Sequence, residues 1–253
     1  MKVGGMVAYQ EMYPASQSPE DVMYTRKAME FVNEDFLSFF ATGQRSPEVI
    51  NYMKRNNLSS LNDDINQCLL DYPNMISDFL AFSYYYSLVI DSQLIIDKTE
   101  PNHFMTQGKI TNHHLETSDF GWQIDAVGFR NTITKMHNRF MLPVFPAENG
   151  IGAFETWHGT GRIEDDYRIA YHKDHINEMM KAIQIDGANV MGYLGWGLID
   201  IPSSKGNVEK RYGFVYVNRS NHDIKDLKRI PKKSYFWFKE FIQEKNTVLR
   251  KAY

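Results

Sequence analysis

Apolar positions along the chain fall into two rhythms. Short unbroken apolar runs, the pattern of strands buried on both faces, occur at Val3–Tyr9 (VGGMVAY), Asp78–Tyr85 (DFLAFSYY), Leu142–Pro146 (LPVFP) and Asn189–Trp196 (NVMGYLGW). Between them the spacing turns helical. Glu20–Phe40 reads as a helix announced by Ser18-Pro19-Glu20-Asp21: a serine cap, proline in the first turn, then acids. Asp125–Phe140 places Val127, Phe129, Ile133, Met136 and Phe140 on one face, and Asp165–Asp186 does the same with Ile169, His172, Ile176, Met179, Met180 and Ile183. Phe214–Val217 reads as a hairpin arm and Lys232–Lys245 as a last helix, while a polar stretch rich in Asn, His, Thr and Ser separates the second strand from Phe120. Strand and helix alternating at this spacing predict an α/β fold of parallel βα units. No repeat or Pro/Gly/Ser linker divides it, so 1–253 is expected to be a single domain. A closed eight-unit barrel takes roughly 250 residues. Only four units are found here, which leaves half a barrel or a small open α/β sheet.

Composition narrows the function classes. With 28 basic and 31 acidic residues the net charge is −3, and no basic excess marks a nucleic-acid or anionic-membrane binder. The longest uncharged apolar stretch, Val190–Ile199, contains three glycines and is too short to span a bilayer. The first residues lack the charged region and apolar core of a secretion signal, so a cytoplasmic protein is expected. Cys68 stands alone, without partners for a disulfide framework or a cysteine metal site. His113 and His114 are adjacent and in extended chain point opposite ways. No HExxH, Walker A or GxGxxG pattern occurs, and no metal or organic cofactor is expected. The basic run Lys225–Lys233 reads as solvated surface.

Glu148 is the sharpest chemical candidate. It follows an apolar strand and precedes Asn149-Gly150, a dipeptide that favours a tight turn. A carboxylate at the C-terminal end of a barrel strand stands where such folds place catalysis, although a Glu before Asn-Gly is by itself more often a loop acid.

Its neighbours sharpen the reading. The run Leu142–Gly152 resembles the nucleophile motif, T/S-E-N-G, on strand seven of glycoside hydrolase family 1. In the same order follow Asp165-Asp166-Tyr167-Arg168-Ile169, then Gly192-Tyr193 with Trp196 and Asp200, then Lys210-Arg211-Tyr212-Gly213-Phe214-Val215-Tyr216-Val217, then Lys232-Lys233-Ser234 with Trp237 and Phe238. Upstream, Tyr13-Pro14 with Ser18–Val22 resembles the segment after strand five. Gly121-Trp122-Gln123-Ile124-Asp125 resembles the entry to helix six, with Ala126 where proline is usual. The resemblance runs from Met1 to about Glu244 and implies a (β/α)8 barrel family, this chain covering strand five to helix eight.

The resemblance also implies roles. Glu148 would be the nucleophile. Tyr85, in Ser83-Tyr84-Tyr85-Tyr86-Ser87, would orient it, and Trp196 would floor the sugar site, with Trp122 structural. Glucosidases acting on unphosphorylated sugars carry Glu-Trp where this chain has Ser203-Ser204. Ser203, Lys210 and Tyr212 instead resemble the phosphate pocket of the 6-phospho-glycosidases, one cation and two hydroxyls around a dianion. Ser204 stands where 6-phospho-β-galactosidases tend to carry Trp, which favours 6-phospho-β-glucosidase specificity over that alternative. The implied reaction is retaining hydrolysis of a phosphorylated β-glucoside.

That reaction takes a second carboxylate as acid and base. In the family it lies in a T-x-N-E-P-like motif on strand four, which this sequence does not contain; Asn33-Glu34 and the segment from Gly43 to Pro47 do not match it. Strands one to four have no counterpart. Two expectations therefore stand side by side: part of a working hydrolase, completed by a chain supplying the N-terminal half or by a homodimer, or an inactive fragment that at most binds phosphosugar. The half barrel should expose a strand edge and apolar strand faces.

Overall fold

The computed structural model describes residues 1–58 and 76–251, the side chains of 245–251 excepted; Cys68 lies outside the described residues. Three strands, β1 (Gly4–Ala8), β3 (Phe79–Tyr84) and β6 (Val144–Asn149), form a parallel sheet in the order β1-β3-β6. The predicted fourth strand, Asn189–Trp196, lies parallel beside β6 but joins it only at the bridges Val144–Val190 and Asn149–Gly195. Gly192 and Gly195 interrupt the run there, which is where a continuous ladder weakens.

Beyond the ends of β1 and β3 the chain forms a second small sheet: β2 (Met12–Pro14) pairs parallel with β4 (Leu88–Ile90), and β4 pairs antiparallel with β5 (Lys109–Ile110). The stretch expected to be merely polar thus contains a fully buried strand. Leu88-Val89-Ile90 carries the apolar signal, diluted by its polar surroundings.

The helices cover one face of the parallel sheet. Residues expected as one helix from Glu20 form α1 (Pro19–Met29), a π-helical turn (Glu30–Glu34) and α2 (Asp35–Thr42), ended by Gly43 at φ +72°. The Ser18 hydroxyl caps no backbone N–H; it donates to Glu20 instead, 3.2 Å away. The π turn carries two buried polar residues back to the end of β1, where Asn33 Nδ2 donates to the Gln10 carbonyl at 2.8 Å and Glu34 accepts from Tyr9 Oη at 2.7 Å. Short helices α3 (Pro47–Arg55) and α4 (Pro101–Thr106) begin at prolines. Helix α5 (Ala126–Phe140) is capped by Asp125, which accepts from the Gly128 N–H at 2.7 Å. Helix α6 (Asp166–Gln184) packs on α5, and α7 (Lys233–Lys251) packs on α6. The expected hairpin forms between β7 (Val215–Val217) and β8 (Arg229–Pro231).

The core lies between this sheet and its helices. Leu80, Phe82 and Tyr84 of β3 and Val144 of β6 meet Phe129 and Ile133 of α5, all fully buried. On the opposite face apolar strand side chains remain in solvent: Met6 is 43%, Met191 48% and Leu194 51% exposed. Among the described residues no helix is long and apolar enough to cross a membrane.

Candidate active site

The sequence predicts a strand that stops at Pro146; β6 instead continues to Asn149, so Glu148 is part of the ladder. Its aim is set by a bulge. Phe82 pairs with Pro146 and Ser83 with Glu148, leaving Ala147 as an extra residue on β6. Such an insertion re-aims the next side chain. Asn149-Gly150 makes no tight turn. Asn149 is fully buried and ties the strand end to its neighbours: its Nδ2 donates to the Tyr84 carbonyl at 2.7 Å and to Tyr171 Oη at 3.1 Å, while its Oδ1 accepts from Tyr193 Oη at 2.7 Å. Position 150 is glycine because of a close approach: a Cβ there would lie 2.3 Å from the Trp196 carbonyl. Trp196 itself is half-buried, and its N–H donates to the Asn149 carbonyl at 2.8 Å.

Tyr85 follows β3 directly. Its Oη donates to Glu148 Oε2 at 2.8 Å. Burial first, then the Glu148 carboxylate, push the Tyr85 phenol far above its ordinary pKa, so it stays a donor. The Tyr85 ring lies 5.8 Å from the Trp122 ring and 5.8 Å from the Tyr212 ring. Trp122, expected to be structural only, therefore borders the site.

Lys210 sits beside these rings with its ammonium 3.2 Å from the centre of the Trp122 ring. No carboxylate pairs with it among the described residues. Burial, then Lys205, bring its pKa down to about 8, so it remains mostly charged at neutral pH. Tyr212 is buried next to it, with its phenol pushed up mainly by burial. Ser203 stands in the adjoining loop, which its own N–H closes on the Asn207 carbonyl at 3.0 Å; the Asn207 side chain then accepts from the Glu209 N–H at 2.9 Å. Lys210 and Tyr212 are thus together, and Ser203 is one loop away.

A buried charge cluster, unnoticed in the sequence, fixes the distance between the Lys210 segment and the end of β6. Three cations (Arg168, Arg211, Lys232) face three carboxylates (Glu155, Asp165, Asp200), all 2% exposed or less by side chain, for a net charge of zero. Arg168 Nη1 donates to the carbonyls of Ile151 at 2.7 Å and Tyr212 at 2.8 Å, and Ala153 and Arg211 exchange backbone hydrogen bonds at 3.0 and 3.1 Å. One guanidinium therefore holds the residues after Glu148 against the segment carrying Tyr212. Burial works against the Glu155 charge, but Lys232 and Arg168 outweigh it and keep its carboxyl below the ordinary value. Lys232 also corrects the reading of 225–233 as solvated: Lys225–Arg229 are exposed, whereas Lys232 is fully buried between Glu155, at 2.5 Å, and Asp200, at 3.2 Å. A charge run shows no burial period, so partners 77 and 32 residues away leave no local trace.

Parallel strands walled by helices on one face, with a tyrosine-held carboxylate at a strand end, define about half of an α/β barrel of the glycosidase kind. A sequence model described as glycosyl hydrolase family 1 matches residues 1–247, and the chain belongs to that family. It is 35% identical over 245 residues to the aryl-phospho-β-D-glucosidase BglA of Bacillus subtilis, covering 96% of this chain and 50% of that protein. It is 36% identical over 247 residues to the 6-phospho-β-glucosidase AscB of Escherichia coli, covering 95% and 50%. The family 1 β-glucosidase from Thermotoga maritima superposes with a TM-score of 0.80 at 26% identity, over 96% of this chain and 50% of that one. The chain spans about half the length of the curated relatives it matches.

Proposed function

We propose that this chain carries the nucleophile half of a retaining 6-phospho-β-glucosidase. Glu148 attacks the anomeric carbon, Tyr85 holds the attacking carboxylate, Trp196 floors the sugar, and Ser203, Lys210 and Tyr212 receive the 6-phosphate. The observation that carries this reading is the Tyr85–Glu148 hydrogen bond of 2.8 Å on rings shared with an ammonium that has no carboxylate partner among the described residues. An oriented carboxylate and an unneutralised cation fit a substrate that is both a glycoside and an anion. The printed names of the relatives, phospho-β-glucosidases among them, support the same substrate class.

The chemistry runs in two displacements. Glu148 bonds to the anomeric carbon as the aglycone leaves, and water then cleaves the glycosyl ester with net retention. The acid and base come from outside these 253 residues, and the partner is a segment or chain presenting the first four strands against the exposed Met6, Met191 and Leu194 face. Ser204, small and exposed, favours gluco over galacto substrates. A dianionic sugar ester does not cross a bilayer unaided, so the enzyme works on the side of the membrane where the ester is made, in this reading the cytoplasm.

p-Nitrophenyl β-glucoside 6-phosphate tests this without the missing acid, because its phenolate leaves unprotonated. The reading expects a stoichiometric burst of nitrophenolate that disappears in Glu148→Gln and is far weaker with the unphosphorylated or galacto analogue. No release, or release indifferent to Glu148→Gln, contradicts it.

A further inference from the structure

Lys210 is walled by rings rather than by acids. Its Nζ lies 3.2 Å from the Trp122 ring centre, 4.9 Å from Phe120 and 5.4 Å from Tyr212. Three π faces around an ammonium make the kind of cage by which proteins hold cationic ligands; here the cation belongs to the chain itself. The stem is closely confined as well. A Cβ at Gly152 would meet Lys210 Cε and Cγ at 2.9 Å and Tyr212 Cζ at 3.0 Å, so glycine at 152 lets the lysine lie flat along this segment. Phe120 is backed at 4.5 Å by the exposed Phe154, which puts the cage at the protein surface.

We infer that the Phe120–Trp122–Tyr212 cage is a built-in competitor for the Lys210 ammonium, and that Trp122 thereby sets the threshold an anion must exceed to bind. The inference rests on the phosphosugar reading of Lys210. Any anion that engages the ammonium has to draw it off the Trp122 face, a uniform penalty for every ligand. A dianion overcomes that penalty more readily than a monoanion, because its attraction for the cation is larger. A neutral sugar hydroxyl offers least. Trp122 is in this sense a positioning residue that sets how tightly anions bind and need not touch the sugar.

Binding of glucose 6-phosphate and of glucuronate, a monoanion at the same carbon, measured by NMR titration separates the cases. Trp122→Leu should tighten both by roughly 3- to 10-fold, the worth of a partly desolvated cation–π pair, and Lys210→Met should abolish both. In the intact protein labelled with 13Cε-lysine, the Lys210 Hε resonance, identified by its loss in Lys210→Met, should lie upfield from the ring current of Trp122 and return toward its ordinary position on saturation with glucose 6-phosphate. Unchanged or weaker binding by Trp122→Leu, with Lys210→Met inactive, overturns the competitor while the phosphosugar site stands. Binding that survives Lys210→Met, or is missing from the intact protein, removes the phosphosugar reading and the inference with it. A Lys210 resonance without a ring shift, or one that keeps it under saturation, overturns the inference whatever the affinities.

Discussion

Replacing Arg168 by methionine isolates the clamp between the two halves of the site. Arg168 is fully buried, with Glu155 and Asp165 each 2.9 Å away. Methionine fills much of the same space but leaves two buried carboxylates facing one cation fewer, and breaking a buried ionic network in this way costs about 3–5 kcal/mol. The carbonyls of Ile151 and Tyr212 lose their donor as well, at about 1–3 kcal/mol each where no water replaces it. These losses overlap, so the expected total is about 4 kcal/mol, a large share of the roughly 5–15 kcal/mol that ordinarily holds a domain folded. With a urea slope of about 2–3 kcal/mol per molar, the denaturation midpoint at pH 7, followed by circular dichroism, should fall by about 1.3–2 M. The deficit should shrink as the pH drops toward 4. Arg168 helps hold the Glu155 carboxyl below its ordinary value; without the guanidinium Glu155 titrates higher in the folded variant and takes up a proton there, which relieves the repulsion the substitution created. A midpoint shift under 0.4 M, or a deficit that grows with acid, refutes the clamp.

Other outcomes follow from the same geometry. Tyr85→Phe removes a hydrogen bond to a carboxylate and should slow the nitrophenolate burst by roughly 10- to 100-fold while leaving glucose 6-phosphate affinity within about twofold, checked by stopped-flow and NMR titration. Asn149→Ala takes the Nδ2 donor from the Tyr84 carbonyl and leaves the Tyr193 hydroxyl with His172 as its partner, and should cost about 1–3 kcal/mol in urea denaturation. Gly150→Ala forces a Cβ to within 2.3 Å of a backbone oxygen and should lower the melting temperature by well over 5 °C. Burial holds His172 well below the ordinary imidazole value of 6.5 and His175 at about 4. The unfolded chain protonates at these positions below about pH 6.5 while the folded one does not, so stability is full above that pH and declines as pH falls; His175 alone accounts for a loss of about 3 kcal/mol by pH 4. A flat stability profile between pH 7 and 4.5 in urea titrations contradicts this.

Much of the scaffold was legible because its signals are local. The apolar run Phe79–Tyr84 and the helical faces of α5 and α6 sit within one or two residues of where period and composition put them. Glu148 was legible through its company rather than its own flanks. What escaped was set by tertiary contact. Asn149-Gly150 looks like a turn, but its glycine answers to a carbonyl 46 residues on. Val127 is grouped with the apolar face of α5 yet is 58% exposed, because, two positions before Phe129, it stands about 200° round the helix from that buried ring. Lys232 reads as a surface cation, and Arg168 shows no sign of its burial, because their partners are scattered from Ile151 to Tyr212. Trp122 read as structural, since nothing in its neighbourhood names Lys210.

The site's central claim is that Glu148 forms the bond to sugar next to a cation that selects a phosphate ester. It is tested most directly by trapping that bond with 2,4-dinitrophenyl 2-deoxy-2-fluoro-β-glucoside 6-phosphate, in which the fluorine slows hydrolysis of the ester and the activated phenolate needs no acid, and mapping the label by peptide mass spectrometry. The predicted result is a single adduct on the peptide containing Glu148, lost in Lys210→Met and with the unphosphorylated probe. A label on another carboxylate, or none under conditions that bind glucose 6-phosphate, contradicts it.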